Sequence, residues 1–323
     1  MAGGLLGILS ILAPILLMMA AGVVLRWKFH LDLSTLSRIS IYLFVPAFVF
    51  DKVSTSDLSW GTMGAVMLLT VAQVLLLALI VIAIGRIARP PRATLAAVAL
   101  AVMFYNSGNY GLPLAELAFG REGAAVQSLV LLTQNFLTFT VGLGIAAWAG
   151  SGGVLKGLGT LIRLPVIPTL VGALLAKWWL TSDPSHRLPT AISQTAHYLG
   201  NALVPVALLT LGAQLASNPR WPRWRPVGTV VILRLLVAPI AMGLMLWGLH
   251  VLTAGTGHAW LDLWPWPAQV LILTAAVPTA VNTLLLTMEL EGDADLAADC
   301  VFWTTVLSVV TTCGWLAAVA MMR

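Results

Sequence analysis

Charged side chains are scarce in this sequence, since Asp, Glu, Lys and Arg make up only 9% of its 323 residues. A soluble globular domain carries about 25%. The chain is also 59% hydrophobic, so its composition excludes an ordinary soluble domain and is typical of an integral membrane protein. The net charge of +5 does not indicate nucleic-acid binding, because the basic residues form short clusters between apolar runs.

Cysteine is almost absent. Cys300 and Cys313 fall in one apolar run, which argues against a disulfide framework. The sequence has no CxxC motif and no Cys/His cluster, so we expect no metal site and no cofactor. The central apolar runs also lack a nucleophile–base pair or paired acids, which argues against an intramembrane enzyme.

Long apolar runs are what the sequence has in abundance. A membrane-spanning helix needs about 20 mostly apolar residues, and dividing the chain at charged and turn-rich clusters predicts ten spans. They are 4–25, 34–51, 62–85, 93–118, 123–148, 161–181, 188–216, 227–250, 267–289 and 294–321. The first run lacks the basic segment of a signal peptide and is too long for one, so we interpret it as a membrane helix. The predicted fold class is therefore an all-α integral membrane protein.

Lysine and arginine are distributed unequally between the loops. Eleven of the 17 lie in loops one, three, five and seven, against five in the even loops and the C-terminus. Cytoplasmic loops carry the excess of basic residues. We therefore predict a multi-pass protein of the cell (inner) membrane, with the odd loops in the cytoplasm and both termini outside it.

The two halves of the chain resemble each other weakly at an offset of 173 residues. The matched pairs include Asn109 with Asn282, Tyr105 with Pro278, and Ala124 with Ala297. Five spans in each half would insert the second half upside down, which is the inverted-repeat plan of many secondary transporters. We predict two five-helix repeats, residues 1–150 and 161–323. Chance similarity between apolar helices is the alternative.

The predicted fourth span is interrupted near its centre by NSGNYGLP, residues 106–113. Glycine costs about 1 kcal/mol and proline about 3 kcal/mol relative to alanine in a helix interior, so Gly108, Gly111 and Pro113 predict a break. The ninth span has a milder counterpart at Pro278. A broken helix leaves free N–H groups and a positive dipole end at membrane depth, which predicts an anion site. The alternative is a notch that lets helices pack closely.

Polar side chains at the two breaks are the candidate substrate-binding groups. They are Tyr105, Asn106, Ser107, Asn109, Thr279, Asn282 and Thr283. The asparagine amides can donate hydrogen bonds to an anion.

Three charged residues lie within or near the ends of predicted spans. Arg234 is seven residues into the eighth span, about 10 Å deep at a rise of 1.5 Å per residue. It could pair with a substrate carboxylate or with Asp299, but the modest depth favours snorkelling to the cytoplasmic surface. Glu116 and Asp299 lie where solvated helix ends are common, and a proton relay through one of them is the alternative.

The segment NSGNYGLPL resembles the N-x-G-x-x-GLPL signature of the auxin efflux carrier family, within the bile acid/arsenite transporter superfamily. The segment ILRLLVAPI and the C-terminal region from AAVPTAVNT onward are also similar to that family, so the resemblance covers essentially the whole chain. It implies two inverted five-helix repeats, with spans four and nine broken and crossing at the substrate site. It also places Gln134 beside the substrate, for which an interhelical hydrogen bond is the alternative.

The resemblance further implies that spans 1, 2, 6 and 7 form a scaffold and that spans 3–5 and 8–10 form a moving transport domain. Family members carry small organic anions, such as auxin in plants and malonate or malate in bacteria. We therefore expect a secondary transporter with elevator-type alternating access, and a homodimer through the scaffold helices. The alternatives are a channel or sensor on the same fold, and a sodium-coupled organic-anion symporter like the bile-acid branch of the superfamily.

Two features separate this chain from the plant carriers. It has only a short Gly-rich segment between its halves, and Tyr105 stands where the plant carriers have proline. An auxin-like substrate is therefore not carried over, and the chain looks like a bacterial short form. The coupling ion stays open between H⁺ and Na⁺, because the ninth-span break offers only the neutral residues Thr279, Asn282 and Thr283.

Overall fold

The computed structural model describes residues 5–29, 31–149, 165–183, 185–216, 222–254 and 259–322. Within these ranges the main elements are helices, and a single isolated β-bridge is the only strand-like pairing. The helices are α1 (Leu5–Phe29), α2 (Leu33–Ser54), α3 (Trp60–Ala88), α4 (Arg92–Met103), α5 (Ser107–Ala149), α6 (Val166–Ser182), α7 (Thr190–Leu215), α8 (Trp224–Thr253), α9 (Ala268–Ala275), α10 (Val281–Glu289) and α11 (Ala294–Ala320).

Seven of these helices are long and apolar enough to cross a membrane, namely α1, α2, α3, α5, α7, α8 and α11. Helix α5 bends at Gly120, whose φ of 67° and ψ of −154° are accessible to glycine at little cost. The bend divides α5 into the end of the predicted fourth span and the whole of the fifth. The all-α membrane fold is confirmed, whereas the count of ten spans in two inverted repeats stays a prediction.

The junction between the two predicted repeats falls in residues 150–164, which lie outside the described ranges. Three of the basic residues used to predict the orientation in the membrane also lie outside the described ranges, namely Lys156, Arg163 and Arg220.

Three helices contain a five-residue π-helical turn shortly before a proline. The turns are Ser40–Phe44, Ser107–Gly111 and Leu233–Val237, and the prolines two residues beyond them are Pro46, Pro113 and Pro239. Proline has no N–H, and its ring clashes with the carbonyl four residues earlier. A wider turn accommodates both effects without ending the helix.

Helices α1, α2, α6 and α7 pack against one another. Glycines allow α1 and α7 to approach closely, as in many membrane helix pairs. A Cβ on Gly22 would lie 2.1 Å from the carbonyl oxygen of Leu209, and a Cβ on Gly212 would lie 1.9 Å from that of Met19. These contacts require glycine at both positions.

A separate core of buried side chains joins the remaining long helices. It contains residues of α3, α4, α5, α8, α10 and α11, represented by Leu77, Leu100, Leu143, Val227, Leu286 and Cys300. A second, larger core contains residues of α1, α2, α6 and α7 together with residues of α3, α5, α8, α9 and α11. Among the described residues, α1, α2, α6 and α7 therefore contribute to the larger core only, whereas α4 and α10 contribute to the smaller one only.

An ion pair ties the starts of α8 and α11 together. Arg223 donates to Asp293 at 2.6 Å, and Asp293 also caps α11 by accepting the Leu296 N–H at 3.2 Å. Burial opposes the charge on Asp293, but the hydrogen bonds from Arg223 and Leu296 outweigh it, so the pKa of this carboxyl is lowered.

The glycine contacts between α1 and α7 lead to a stability prediction. Gly212→Ala should lower the thermal midpoint of the purified protein, because overpacking of this kind costs about 1–3 kcal/mol. Gly248→Ala in α8 is the matched control, since a Cβ there meets nothing within 4 Å. It should leave the midpoint unchanged or raise it. Equal midpoints for the two variants would contradict the packing argument.

Candidate functional site

The two predicted helix breaks meet in the structure. Tyr105 and Thr279 form an isolated antiparallel β-bridge. The Asn106 N–H donates to the Pro278 carbonyl at 2.8 Å, and the Ala280 N–H donates to the Phe104 carbonyl at 3.1 Å. Backbone polar groups inside a membrane need partners within the protein, and each break supplies partners for the other.

Hydrogen bonds made by two amide side chains hold the first break, one by Asn106 and one by the buried Gln127, which was not predicted from the sequence. The Oδ1 atom of Asn106 accepts the Asn109 N–H at 3.1 Å and so caps the start of α5. The Gln127 side chain donates from Nε2 to the Ser107 carbonyl at 2.9 Å. Gly111 must be small because a Cβ there would lie 2.4 Å from that Nε2 atom. The sequence signal that could have identified Gln127 is its polar amide side chain within an otherwise apolar run.

The second break is held by threonines. The Thr279 N–H donates to the hydroxyl of Thr304 at 3.1 Å, and the Thr279 hydroxyl donates to the Ala101 carbonyl at 2.9 Å. The Thr283 hydroxyl donates to the Ala280 carbonyl at 2.7 Å. Among the described residues no side chain caps the start of α10, so its N-terminal dipole is available to a ligand.

Arg234 does not snorkel to the surface, and that expectation is wrong. Its side chain is fully buried, and its guanidinium lies 4.5 Å from the ring centroid of Tyr105. It donates to the Val102 carbonyl at 2.8 Å and also to the Ala275 carbonyl. These carbonyls lie in the last turns of α4 and α9, where unpaired oxygens carry partial negative charge. Depth along one helix could not reveal this attraction, because the carbonyls belong to two other helices.

Glu116 is ion-paired and only partly exposed, so it is not a solvated helix end. Its carboxylate lies 2.7 Å from the Lys52 ammonium, and the two side chains are 24% and 7% exposed. Asp299 lies elsewhere, in a cleft between α10 and α11, and acts electrostatically on Arg223 rather than on Arg234.

A cavity of about 120 Å³ lies beside the two breaks. Its lining includes six of the eight predicted binding residues, namely Tyr105, Asn106, Ser107, Asn109, Gln134 and Asn282. Thr279 and Thr283 are not among its lining residues, and their hydroxyls donate to backbone carbonyls at or near the breaks. The lining also contains polar residues that the sequence argument did not single out, namely Ser37, Ser40, Asn135, Thr138, Thr210 and Gln214.

Three amides of this lining have buried polar atoms without a hydrogen-bond partner among the described residues. These atoms are Nδ2 of Asn106, both amide atoms of Gln134 and Oε1 of Gln214. Since Oδ1 of Asn106 is committed to the helix cap, its Nδ2 is the atom left to donate. A buried polar group without a partner costs about 1–3 kcal/mol. A ligand that accepts hydrogen bonds from the amide nitrogens of Asn106 and Gln134 would recover part of that free energy.

The described lining residues carry no charged side chain. Positive potential at the cavity comes instead from the N-terminal ends of α5 and α10, which begin at Ser107 and Val281. Neutral donors and helix dipoles together suit a small anion.

A group of charged residues lies at the even-loop ends of α2, α5, α6 and α7, and we call it the ion cluster. It consists of Asp51, Lys52, Glu116, Arg121, Lys177 and His197. Besides the Lys52–Glu116 pair, Asp51 lies 3.7 Å from both Arg121 and His197, and Lys177 donates to the Ser56 carbonyl at 2.5 Å.

The cavity lies toward the other, odd-loop end of the same helices. Ser37 and Ser40 are in the first turns of α2, and Thr210 and Gln214 are in the last turns of α7. The ion cluster and the cavity are therefore at different depths along α2 and α7.

The contacts of Arg234 predict that lysine cannot replace it. A lysine keeps the charge but not the planar fork that serves two carbonyls, and each carbonyl left unpaired costs about 1–3 kcal/mol. Arg234→Lys should lower the thermal midpoint and reduce uptake. Arg225→Lys, at an exposed position of the same helix, is the control and should change neither. A wild-type midpoint for Arg234→Lys would overturn the two-carbonyl role.

Comparison with known proteins places the chain among transporters. Residues 8–316 match a family described as "Membrane transport protein". A Rhizobium meliloti (strain 1021) protein named "Putative malonate transporter" is 28% identical over 289 residues, which cover 87% of this chain and 85% of that protein.

Two archaeal proteins, each named as an uncharacterized transporter, are also similar. The one from Methanothermobacter thermautotrophicus is 28% identical over 290 residues, 88% of each chain. The one from Methanocaldococcus jannaschii is 27% identical over 221 residues, 67% of each chain. The family and these relatives are transporters rather than enzymes, which implies a small-molecule substrate and a membrane environment. The chain therefore belongs to the membrane transport protein family, the auxin efflux carrier family that its NSGNYGLPL segment resembles.

Proposed function

We propose that this protein is a secondary transporter that moves a small carboxylate across the cell membrane. The observation that carries the proposal is the unpartnered Nδ2 donor of Asn106, fixed by the helix cap beside two helix N-termini. A carboxylate oxygen would accept from this donor and would be stabilised by both dipoles. The relative named for malonate makes malonate the first substrate to test.

The size of the cavity favours a short ligand. It measures about 120 Å³, whereas pockets for drug-sized ligands measure about 300–1,000 Å³. A three- or four-carbon acid suits this space better than an aromatic acid such as auxin.

An elevator mechanism would divide the helices into two groups. Helices α1, α2, α6 and α7 would form the scaffold. Helices α3–α5 and α8–α11 would form the moving domain with the crossing breaks, and the smaller core, which contains residues of these helices except α9, supports this division. The cavity lies at the interface between the groups, since α2 and α7 line it together with α5 and α10. The inverted repeats of residues 1–150 and 161–323 would relate the breaks.

The proposed orientation assigns the odd-loop end, and with it the cavity, to the cytoplasmic side. Both termini would then lie outside the cytoplasm of an inner-membrane protein. The ion cluster would close the opposite end by joining α2 of the scaffold to α5 of the moving domain. Scaffold helices are also the proposed surface for a homodimer.

The driving ion is proposed to be H⁺, or transport follows the membrane potential alone. Among the described lining residues no carboxylate is present to hold Na⁺, although carbonyls and hydroxyls can bind this ion. A sodium-coupled carrier, a channel and a sensor are the competing functions. Saturable, counterflow-capable malonate uptake in proteoliposomes distinguishes a carrier from a channel or a sensor, and omitting Na⁺ tests the coupling.

A charge substitution tests the proposed anion donor. Asn106→Asp keeps the helix cap, since aspartate is an equally good N-cap residue, but it replaces the Nδ2 donor with a negative oxygen. A hydrogen bond to a charged group contributes about 1.5–3 kcal/mol, so malonate affinity should fall about 10- to 100-fold or more.

The matched control for this variant is Gln194→Glu, which adds the same charge at an exposed position of α7. It should bind malonate like the wild type. If calorimetry gives Asn106→Asp the same malonate affinity as the wild type, the proposed anion site is wrong.

The ion cluster generates a prediction about access. Lys52→Met removes the 2.7 Å pair with Glu116 and should let the even-loop side open more often. A cysteine at the cavity-lining position Thr138 would then react faster with an impermeant maleimide added from that side. Inside-out and right-side-out vesicles separate the two faces, and the protein without this cysteine supplies the background labelling.

The control and the rescue for this prediction use the same chain. Lys28→Met, at an exposed position of α1, should leave the labelling rates unchanged. Exchanging the charges in Lys52→Glu with Glu116→Lys should restore slow labelling. Unchanged labelling in Lys52→Met would show that the pair does not close this side.

A further inference from the structure

The cavity has a second polar wall, contributed by α2 and α7 rather than by the helix breaks. Ser37 and Ser40 come from α2, and Thr210 and Gln214 come from α7. The end of α7 packs against the first turn of α5, so this wall lies next to the proposed anion site. All four side chains are uncharged and can hydrogen-bond a ligand.

Ser40 differs from the other buried hydroxyl residues around it. Serine and threonine inside a helix commonly donate to the carbonyl four residues earlier. Ser128 does so to Ala124 at 2.8 Å, and Thr210 does so to Val206 at 2.7 Å. Ser40 is only 3% exposed, yet its Oγ has no hydrogen-bond partner among the described residues.

Ser40 is a lining residue of the cavity, at a place where α2 departs from regular α-helical geometry. Ser40 begins the widened turn that precedes Pro46, and such turns often occur at functional sites. Gln214 adds a second polar group to the same wall, since its Oε1 is buried without a partner in the described part of the chain. The Gln214 amide can rotate to offer its NH₂ group instead.

We propose that Ser40 and Gln214 form a second subsite, which binds the distal carboxylate of a short dicarboxylate. The inference rests on the proposed function and adds a selectivity to it. One carboxylate would bind the donors at the breaks, including Asn106, and the other would accept from Ser40 and Gln214. A monocarboxylate of the same length would leave this second subsite unused and bind more weakly.

The two subsites belong to different helix groups, and this has a consequence for transport. The first subsite moves with α5 and α10, whereas Ser40 and Gln214 stay with α2 and α7. A dicarboxylate is therefore held at both ends only when the moving group is in the position seen here. After the movement only the first subsite holds it, so the substrate binds more weakly at the opposite face and is released there.

The test compares malonate with propionate, in which a methyl group replaces one carboxylate. Dissociation constants for both acids would be measured by calorimetry on the purified full chain. The wild type should prefer malonate by at least about tenfold, equivalent to 1.4 kcal/mol. Ser40→Ala and Gln214→Leu should each weaken malonate binding several-fold and leave propionate binding unchanged.

Ser128→Ala is the matched control, because Ser128 is a fully buried helical serine that does not line the cavity. It should keep the wild-type preference for malonate. Thermal midpoints identify any variant that fails to fold, and either Ser40→Ala or Gln214→Leu alone then decides the question.

Three results would overturn the second subsite. They are equal wild-type affinities for malonate and propionate, variants that weaken both acids equally, and variants that change neither. A wild type that binds neither acid would overturn the carboxylate proposal itself and the subsite with it. A wild type that binds both acids equally removes only the subsite, so the two failures are distinguishable.

Discussion

The buried guanidinium of Arg234 is the interaction on which the centre of this protein depends. Two helices stop inside the membrane-spanning region, at Met103 and Ala275, and each leaves carbonyl oxygens without partners in its own helix. Water is not available there to satisfy them. Arg234 donates to one carbonyl of each helix end, and the bridge between Tyr105 and Thr279 pairs the segments that follow.

This arrangement separates the charges of the broken helices. The C-terminal ends of α4 and α9, which carry partial negative charge, receive the cation of Arg234. The N-terminal ends of α5 and α10, which carry partial positive charge, lie beside the cavity. Because the Arg234 guanidinium donates to these carbonyls, it is not part of the cavity lining. The described lining residues therefore offer only uncharged donors. The backbone therefore gives the site positive potential, and the proposed anion would be attracted without a lysine or arginine in the described lining.

Much of the fold follows from local sequence patterns. The apolar runs indicated the long helices, and Gly108, Gly111 and Pro113 indicated where a helix breaks, because backbone preferences are local. The partners of the break were not predictable in this way. Gln127 reaches the first break from beyond the bend of α5, and Thr304 reaches the second break from α11. A lone polar residue in an apolar run does not indicate which of these contacts it makes. Arg234 was misjudged for the same reason, since its distance from a helix end says nothing about carbonyls on other helices.

The sequence by itself determined the membrane environment, the helical class, the family and the two break positions. Each of these depends on composition, on local backbone preference or on similarity along the chain. The tertiary structure decided which polar atoms meet. The hydroxyls of Thr279 and Thr283 donate to backbone carbonyls. Asn106, Gln134 and Ser40 line one cavity and keep polar atoms without partners among the described residues. A hydrogen bond acts over about 3 Å, so its partner is known only when the helices that carry both groups are packed together.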